Sequence, residues 1–136
     1  MKTSTCVRSA VLLVAIAATL GCGYSSKKAA PAPGTMPTIA QLNPSSMAAG
    51  SAAFTMTVTG TNFLNTAVVN WNGSAQSANT KFVSATEVQL DVPATAIASA
   101  GMVQVSVTNP GTTGGGPYGG GGTQAATSNS MTFTIN

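Results

Sequence analysis

Apolar and polar residues alternate with a period of two along almost the whole chain after Pro37, and this alternation constrains the fold more than any other feature. Successive side chains of a β-strand point to opposite faces of the sheet, so a period of two indicates strands that bury one face. The pattern is clearest in five segments: Ala53–Thr59, Ala67–Trp71, Thr86–Val92, Met102–Val107 and Ser130–Ile135.

Two further strands and one short helical segment complete the predicted elements. A strand over Thr38–Leu42 opens the domain, and a weaker one near Ala75–Val83 is expected to carry Phe82 or Val83 inward. The only helical propensity lies in Ala94–Ala100, which is long enough for one turn at most. About seven short strands with one apolar face each predict an all-β fold, an antiparallel β-sandwich.

Turn-forming residues separate these runs. Asn72-Gly73 suits a tight hairpin whose residues need positive φ. Gly60 and Asn62 are expected to let the chain leave a strand sharply. Pro93 and Pro110 are expected to end strands, because proline cannot donate to a ladder.

The N-terminus has the layout of an export signal. A short basic start, Met1–Ser9, precedes an uncharged apolar run of eleven residues, Ala10–Leu20. A span of the bilayer core needs about 20 apolar residues, so this run suits a secretory signal peptide instead. The stretch Thr19-Leu20-Gly21-Cys22 resembles the lipobox of bacterial lipoproteins, although Thr19 stands where leucine is usual. The resemblance implies cleavage before Cys22, acylation of its thiol and a lipid anchor in the membrane. Ordinary cleavage after Gly21 is the alternative.

Cysteine use agrees with a lipid anchor. Cys6 would leave with the signal peptide, so Cys22 would be the single remaining thiol and no internal disulfide is possible. Gly23 stands where aspartate would signal inner-membrane retention in enterobacteria, and we expect the outer membrane. The predicted layout is a signal peptide at 1–21, a flexible tether at 22–36 and one domain at 37–136 that faces the periplasm or the exterior.

Charged residues are too few for several classes of function. From Pro37 onward the only charges are Lys81, Glu87 and Asp91, and the chain has no histidine. A nucleic-acid partner would need a row of basic residues, so none is expected. Glu87 and Asp91 share a strand face about 13 Å apart, too far for a glycosidase pair. We therefore expect no metal, no cofactor and no catalytic residue.

Three stretches carry a more specific signal: VTGTNF at 58–63, VTNPG at 107–111 and SNSMTFTI at 128–135. In spacing and order they resemble the IPT/TIG domain over about Pro37–Asn136. The resemblance implies an immunoglobulin-like sandwich without shared catalytic residues, so we expect no enzyme activity. Bacterial domains of this kind occur in surface, adhesive and polysaccharide-handling proteins. An envelope protein or a polysaccharide is therefore the expected partner.

A glycine-rich stretch, Gly111–Gly122, contains eight glycines in twelve residues. Gly114-x-Gly116-x-x-Gly119 matches a dinucleotide fingerprint literally, but no helix, βαβ unit or later acidic residue accompanies it. We instead predict a long loop over 109–129, between the last two strands of one sandwich. Its glycines make ordering entropically costly, so we expect it to be mobile in isolation.

Two aromatic residues are candidate ligand contacts. Trp71 lies on the inward register of its strand, which favours a core role; stacking on a sugar would require exposure near a sheet edge. Tyr118 lies at the tip of the glycine-rich loop and is expected to be exposed, where it is either a ligand contact or incidental.

Three functional hypotheses follow. The first is a non-enzymatic cell-envelope lipoprotein that displays one immunoglobulin-like domain for protein or polysaccharide binding or scaffolding. The second is a carbohydrate-binding accessory protein of a glycan-handling system, with Trp71 and Tyr118 as contacts. The third is a structural spacer or surface subunit that self-associates through exposed strand edges.

Overall fold

The structure, a computed structural model, describes residues 30–114 and 121–136. Seven of its strands have four or more residues, as predicted, and three have two residues. In chain order the strands are β1 Thr38–Asn43, β2 Ser46–Met47, β3 Phe54–Thr61, β4 Val68–Trp71, β5 Ser74–Ala75, β6 Thr80–Ser84, β7 Glu87–Val92, β8 Gly101–Asn109, β9 Ala126–Thr127 and β10 Met131–Ile135.

The strands form two sheets with an apolar core between them. One sheet has four strands in the order β1-β3-β7-β6, and the other has six, in the order β2-β10-β8-β4-β5 with β9 also paired to β8. Of the strand pairs described, only β2 with β10 is parallel. The fold is therefore the predicted immunoglobulin-like antiparallel β-sandwich.

Strand alternation places the core as the period of two predicted. Along β7 every second residue is buried, and the residues between them are half-buried. The buried apolar residues are Ile39, Leu42, Met56, Val58, Phe63, Ala67, Val69, Val88, Leu90, Val92, Ile97, Val103, Val105, Val107, Phe133 and Ile135. Burial of such side chains stabilises the fold by about 1.5–3 kcal/mol each before conformational entropy is subtracted.

Phe82 lies on the inward register, as predicted for Phe82 or Val83, but neither residue is buried in the core. Their side chains are 40% and 50% exposed. β6 is the last strand of its sheet, and its register shifts between Phe82 and Ser84. Phe82 pairs with the buried Val88, so its register faces inward, but it lies at the margin where the opposing sheet does not cover it.

The turn predictions are confirmed at one hairpin and two strand ends. Asn72 and Gly73 have φ of 49° and 81° and connect the paired residues Trp71 and Ser74, as a two-residue hairpin requires. β7 ends just before Pro93 and β8 just before Pro110. The segment after Pro93 forms a single 3-10 helix, Ala94–Ile97.

Gly60 serves a different purpose from the predicted one. It lies within β3, and the positive φ of 61° falls on Asn62. A Cβ at Gly60 would overlap the carbonyl oxygen of Thr38 and lie 2.6 Å from Cζ of Phe63. Glycine is therefore required because the neighbouring strand and the Phe63 ring approach the backbone closely.

Asn109 ties two connecting segments to the sandwich. Asn109 is 1% exposed. Its Oδ1 accepts from the N–H of Leu64 at 3.1 Å, and its Nδ2 donates to the carbonyls of Thr35 and Asn62, both at 2.8 Å. This one side chain therefore provides hydrogen-bond partners for backbone groups in the segment before β1 and in the loop after β3, which lie outside the strands.

The glycine-rich loop is partly paired where the structure describes it. Thr112 and Thr123 exchange backbone hydrogen bonds of 3.0 Å, and β9 continues the pairing along β8. The predicted loop over 109–129 therefore contains a short strand. Residues 115–120, among them Tyr118, lie outside the described residues, and the mobility predicted for the loop stays a prediction.

The last residues of the predicted tether contact the domain. Ala32 donates to the carbonyl of Gly122 at 2.9 Å and accepts from the N–H of Gln124 at 2.8 Å. The carbonyl of Met36 accepts from Nδ2 of Asn62 at 3.2 Å. The predicted signal peptide, Cys22 and the rest of the predicted tether lie outside the described residues.

Candidate binding cleft

An open cleft of about 340 Å³ lies at one end of the sandwich, where β3 begins and β7 ends. The last rung between these strands joins Phe54 to Val92. Pro93 then ends β7, and the chain turns into the 3-10 helix and crosses to the other sheet. The cleft is lined by Ala53, Phe54, Thr55, Asn79, Asp91, Val92 and Pro93.

Aromatic rings connect this cleft to the core. The ring of Phe54 stacks on that of Phe133, with centroids 5.7 Å apart and planes at 18°. Phe133 is fully buried, whereas Phe54 is half-buried and lines the cleft. Phe54 shares the inward face of β3 with Met56 and Val58, so its ring packs on the core side of the sheet at this end.

Trp71 packs against the same core phenylalanine. Its ring centroid lies 5.3 Å from that of Phe133, with planes at 51°. Trp71 is half-buried and lies on β4, next to the two-residue strand β5 that ends this sheet. It lines a small cavity of about 50 Å³ that shares Asp91, Val92 and Pro93 with the cleft. The inward register of Trp71 agrees with the expected core role, and the ring also retains exposure near a sheet margin.

Asp91 is held in place by two donors. Thr55, directly opposite on β3, donates its hydroxyl to Oδ1 at 2.7 Å, and Nζ of Lys81 lies 2.6 Å from Oδ2. The hydrogen bonds from Lys81 and then Thr55 hold the pKa of the Asp91 carboxyl below its ordinary value. The Asp91 side chain remains 42% exposed, so the oriented carboxylate has free lone pairs toward solvent.

Asn79 adds a carboxamide to the cleft. Its backbone carbonyl accepts from the N–H of Asp91 at 2.9 Å, which fixes the position of the residue beside β7. Its Nδ2 donates to Oε1 of Gln76 at 3.3 Å. The cleft therefore contains a carboxylate, a hydroxyl and a carboxamide, and the ammonium of Lys81 lies beside it, on Asp91.

The structure does not bring Trp71 and the glycine-rich loop to the same end of the sandwich. Asn109, from which the loop leaves, closes one end of β8, and the cleft lies beside the other end. Tyr118 lies outside the described residues, and so does Cys22.

The residues that line the cleft were not singled out by the sequence as binding residues. Thr55 and Asp91 are 36 positions apart and become neighbours only through the pairing of β3 with β7. The available signal was the aspartate just before the strand-ending Val92-Pro93, in a domain with three charged residues. That signal places Asp91 near a strand end but does not identify its partners.

The part of the chain that the structure describes contains neither a metal-ligand group nor a membrane-spanning helix. Within 30–114 and 121–136, no three His, Cys, Asp or Glu side chains are grouped as metal ligands would be. Over the same residues, no helix has the length and apolar character needed to cross a membrane. Glu87 and Asp91 lie on the outward register of β7, with Gln89 between them.

The two packed sheets and the end cleft define an immunoglobulin-like domain of the kind that serves as a binding or scaffolding module. The sequence profile of the IPT/TIG domain matches residues 37–135. The chain therefore belongs to the IPT/TIG domain family. No significant match was found among curated proteins or among solved structures.

Proposed function

We propose that this protein is a non-enzymatic lipoprotein of the bacterial cell envelope, anchored by Cys22, whose domain binds an envelope protein or a polysaccharide. The observation that carries the proposal is that the N-terminal segment and the cleft lie at opposite ends of the domain. The chain enters beside the glycine-rich loop, through the bonds of Ala32 and Thr35, and the cleft opens at the opposite end. A domain anchored through its N-terminal segment would present the cleft away from the membrane.

The length of the sandwich supports this arrangement. β3 runs from Phe54 at the cleft to Thr61 near the chain entry, and its eight residues span about 23 Å at 3.3 Å per residue. The predicted tether would add further reach. A partner at the cleft end would therefore meet the domain well clear of the lipid headgroups.

Lipidation is tested by intact mass of the full-length gene product extracted from membranes. The expected result is a chain that begins at Cys22 and carries two or three acyl groups. Cys22→Ser is the control, and it should leave the membrane fraction. An unmodified chain in the soluble fraction would disprove the anchor.

Binding is tested by crosslinking in intact cells, with photoreactive residues placed at Asn79 in one strain and at Glu87 in another. Glu87 lies on β7 but does not line the cleft. The expected result is an envelope partner captured from position 79 and not from position 87. Equal capture from both positions, or capture from neither, would count against the cleft as the binding surface.

A carbohydrate-binding accessory protein is the second candidate function. The partial exposure of Trp71, beside a cleft with polar side chains, favours it. In its predicted form both Trp71 and Tyr118 contact the glycan. Glycan-array binding that is lost in folded Trp71→Ala and Tyr118→Ala variants is the expected result, and no binding to any glycan would contradict it.

The structural-spacer hypothesis has less support, because both edges of the four-stranded sheet carry features that hinder strand addition. The side chain of Asn129 occupies the outward backbone groups of Ile39 on β1. On β6 the register shift and Lys81 have the same effect. Phe82 and Val83 are exposed apolar residues on β6 that could still associate. Light scattering at high concentration tests this, and a stable monomer would rule the hypothesis out.

A further inference from the structure

We propose that the cleft between the start of β3 and the end of β7 is a binding site for a neutral sugar, with Asn79, Asp91 and Pro93 as its contacts. This inference rests on the proposed binding role and names its ligand class. The residues of the site come from the tertiary structure alone.

The first support is the combination of groups in one concavity. A sugar ring has an apolar face of C–H groups and a rim of hydroxyls that both donate and accept. The cleft offers the exposed ring of Pro93 and the methyl group of Ala53 as apolar walls. It offers Asp91 and Asn79 as polar partners for the hydroxyls. Its volume of about 340 Å³ lies within the range of small-molecule sites.

The second support is the preorganisation of these groups. Asp91 is fixed by Thr55 and Lys81 at 2.7 and 2.6 Å. Asn79 is fixed by the backbone bond from Asp91 at 2.9 Å and by its side-chain bond to Gln76 at 3.3 Å. A site whose side chains are already ordered loses less conformational entropy when a ligand binds. The cleft can therefore bind without rearrangement of its polar groups.

The third support is local charge. The carboxylate of Asp91 is paired with the ammonium of Lys81, so two of the three charges after Pro37 neutralise each other beside the cleft. A neutral ligand is then favoured over an acidic or a basic one, since neither sign of ligand charge finds an unpaired counterion. Glu87, the remaining charge, does not line the cleft.

Backbone pairing at the cleft argues against an extended peptide as the ligand. Phe54 and Val92 already pair with each other, and the N–H of Asp91 donates to the carbonyl of Asn79. An added strand needs a row of free backbone groups. The recognition groups in the cleft are side chains, which suits a ligand rich in hydroxyls.

Affinity electrophoresis of the full chain in gels that contain a polysaccharide tests the proposal. The neutral probes are amylopectin, mixed-linkage β-glucan, xylan and galactomannan, and polygalacturonate is the acidic comparison. We expect retardation by at least one neutral probe and none by polygalacturonate. No retardation by any neutral probe overturns the proposal.

Variants then locate the site. Asp91→Asn and Asn79→Ala should each weaken binding of the retained polysaccharide by about tenfold or more, as the loss of a hydrogen bond to a charged or oriented group implies. Glu87→Gln, on the same outward face of β7, is the matched control and should bind as the wild type does. Equal binding by all variants overturns the cleft as the site. Circular dichroism and urea denaturation verify that each variant folds.

Tryptophan fluorescence gives an independent readout. Trp71 is the only tryptophan of the chain, and its cavity shares Asp91, Val92 and Pro93 with the cleft. Titration with oligosaccharides of the retained polysaccharide should change the emission of the wild type and of Glu87→Gln at the concentrations that give retardation. An unchanged emission together with retardation places the sugar elsewhere and contradicts the proposal.

The experiments distinguish failure of the proposed function from failure of the proposed sugar site. Retardation that depends on Asp91, with an unmodified Cys22, supports the sugar site and contradicts the lipid anchor. Capture of an envelope protein through position 79, without retardation by any neutral probe, supports the proposed function and overturns the sugar assignment.

Discussion

The side chain of Asn129 makes both hydrogen bonds of a β-ladder rung to the backbone of Ile39. Its Oδ1 accepts from the Ile39 N–H at 2.9 Å, and its Nδ2 donates to the Ile39 carbonyl at 3.0 Å. Ile39 lies on β1, at the edge of the four-stranded sheet, and Asn129 precedes β10 of the other sheet. One carboxamide therefore closes an open strand edge and joins the two sheets.

We expect Asn129→Ala to lower the free energy of unfolding by about 1–2 kcal/mol, because it leaves the Ile39 backbone groups without their partner. Urea denaturation measures the change. Asn65→Ala, at an exposed asparagine between β3 and β4, is the control and should stay within about 0.5 kcal/mol of the wild type. A similar loss in both variants would show that the rung does not stabilise the fold.

Asn109 should have a larger effect than Asn129, because it is buried and bonds three backbone groups. Asn109→Leu keeps a similar volume but leaves those groups unsatisfied, and we expect a loss of about 3 kcal/mol. Hydrogen exchange at the Leu64 amide should accelerate more than exchange along β7. Uniform acceleration along the whole chain would instead indicate a general loss of packing.

The β4–β5 hairpin allows a test of backbone strain without a change in packing. Gly73 has a φ of 81°, and a Cβ there would meet no atom within 4 Å. Gly73→Ala should therefore cost about 1 kcal/mol through the left-handed conformation alone. Gly101→Ala is the matched control, since it also has open space but no positive φ, and it should be neutral or slightly stabilising. Thermal unfolding of both variants makes the comparison, and equal effects would refute the explanation.

The ion pair of Asp91 predicts a defined response to pH. Its pKa is lowered in the folded state, first by the Lys81 hydrogen bond and then by that of Thr55. The stability that the carboxylate contributes is therefore present above the pKa of the unfolded chain and is lost as the pH falls through the folded-state pKa. It should be small, because both side chains are well exposed to solvent.

Carbon-detected NMR titration of the Asp91 carboxyl measures this response. Lys81→Met should raise its pKa more than Thr55→Val does, following the order of the two causes. The stability difference between the wild type and Lys81→Met should vanish in strong acid, where the carboxyl is protonated in both. A pKa that does not change in Lys81→Met would disprove the assigned cause.

Much of the fold could be predicted because its signals are local. The alternation that points Met56 and Val58 inward is a property of consecutive residues, and it needs no knowledge of the partner strand. The positive φ of Asn72 and Gly73 likewise follows from the two residues themselves. Phe82 shows the limit of such reasoning: its register is inward, but β6 lies at the sheet margin, so alternation alone overstates its burial.

The sequence by itself determined the all-β class, the inward faces of the strands and the residues that end them. Only the tertiary structure decided the cleft, because Thr55 and Asp91 are adjacent solely through the register of β3 with β7. The same holds for Asn129 and Ile39, which are 90 positions apart. Side-chain direction alternates along a strand, so it can be read from consecutive residues. Hydrogen bonds between distant segments depend on the tertiary fold of the whole chain, and no local sequence pattern predicts them.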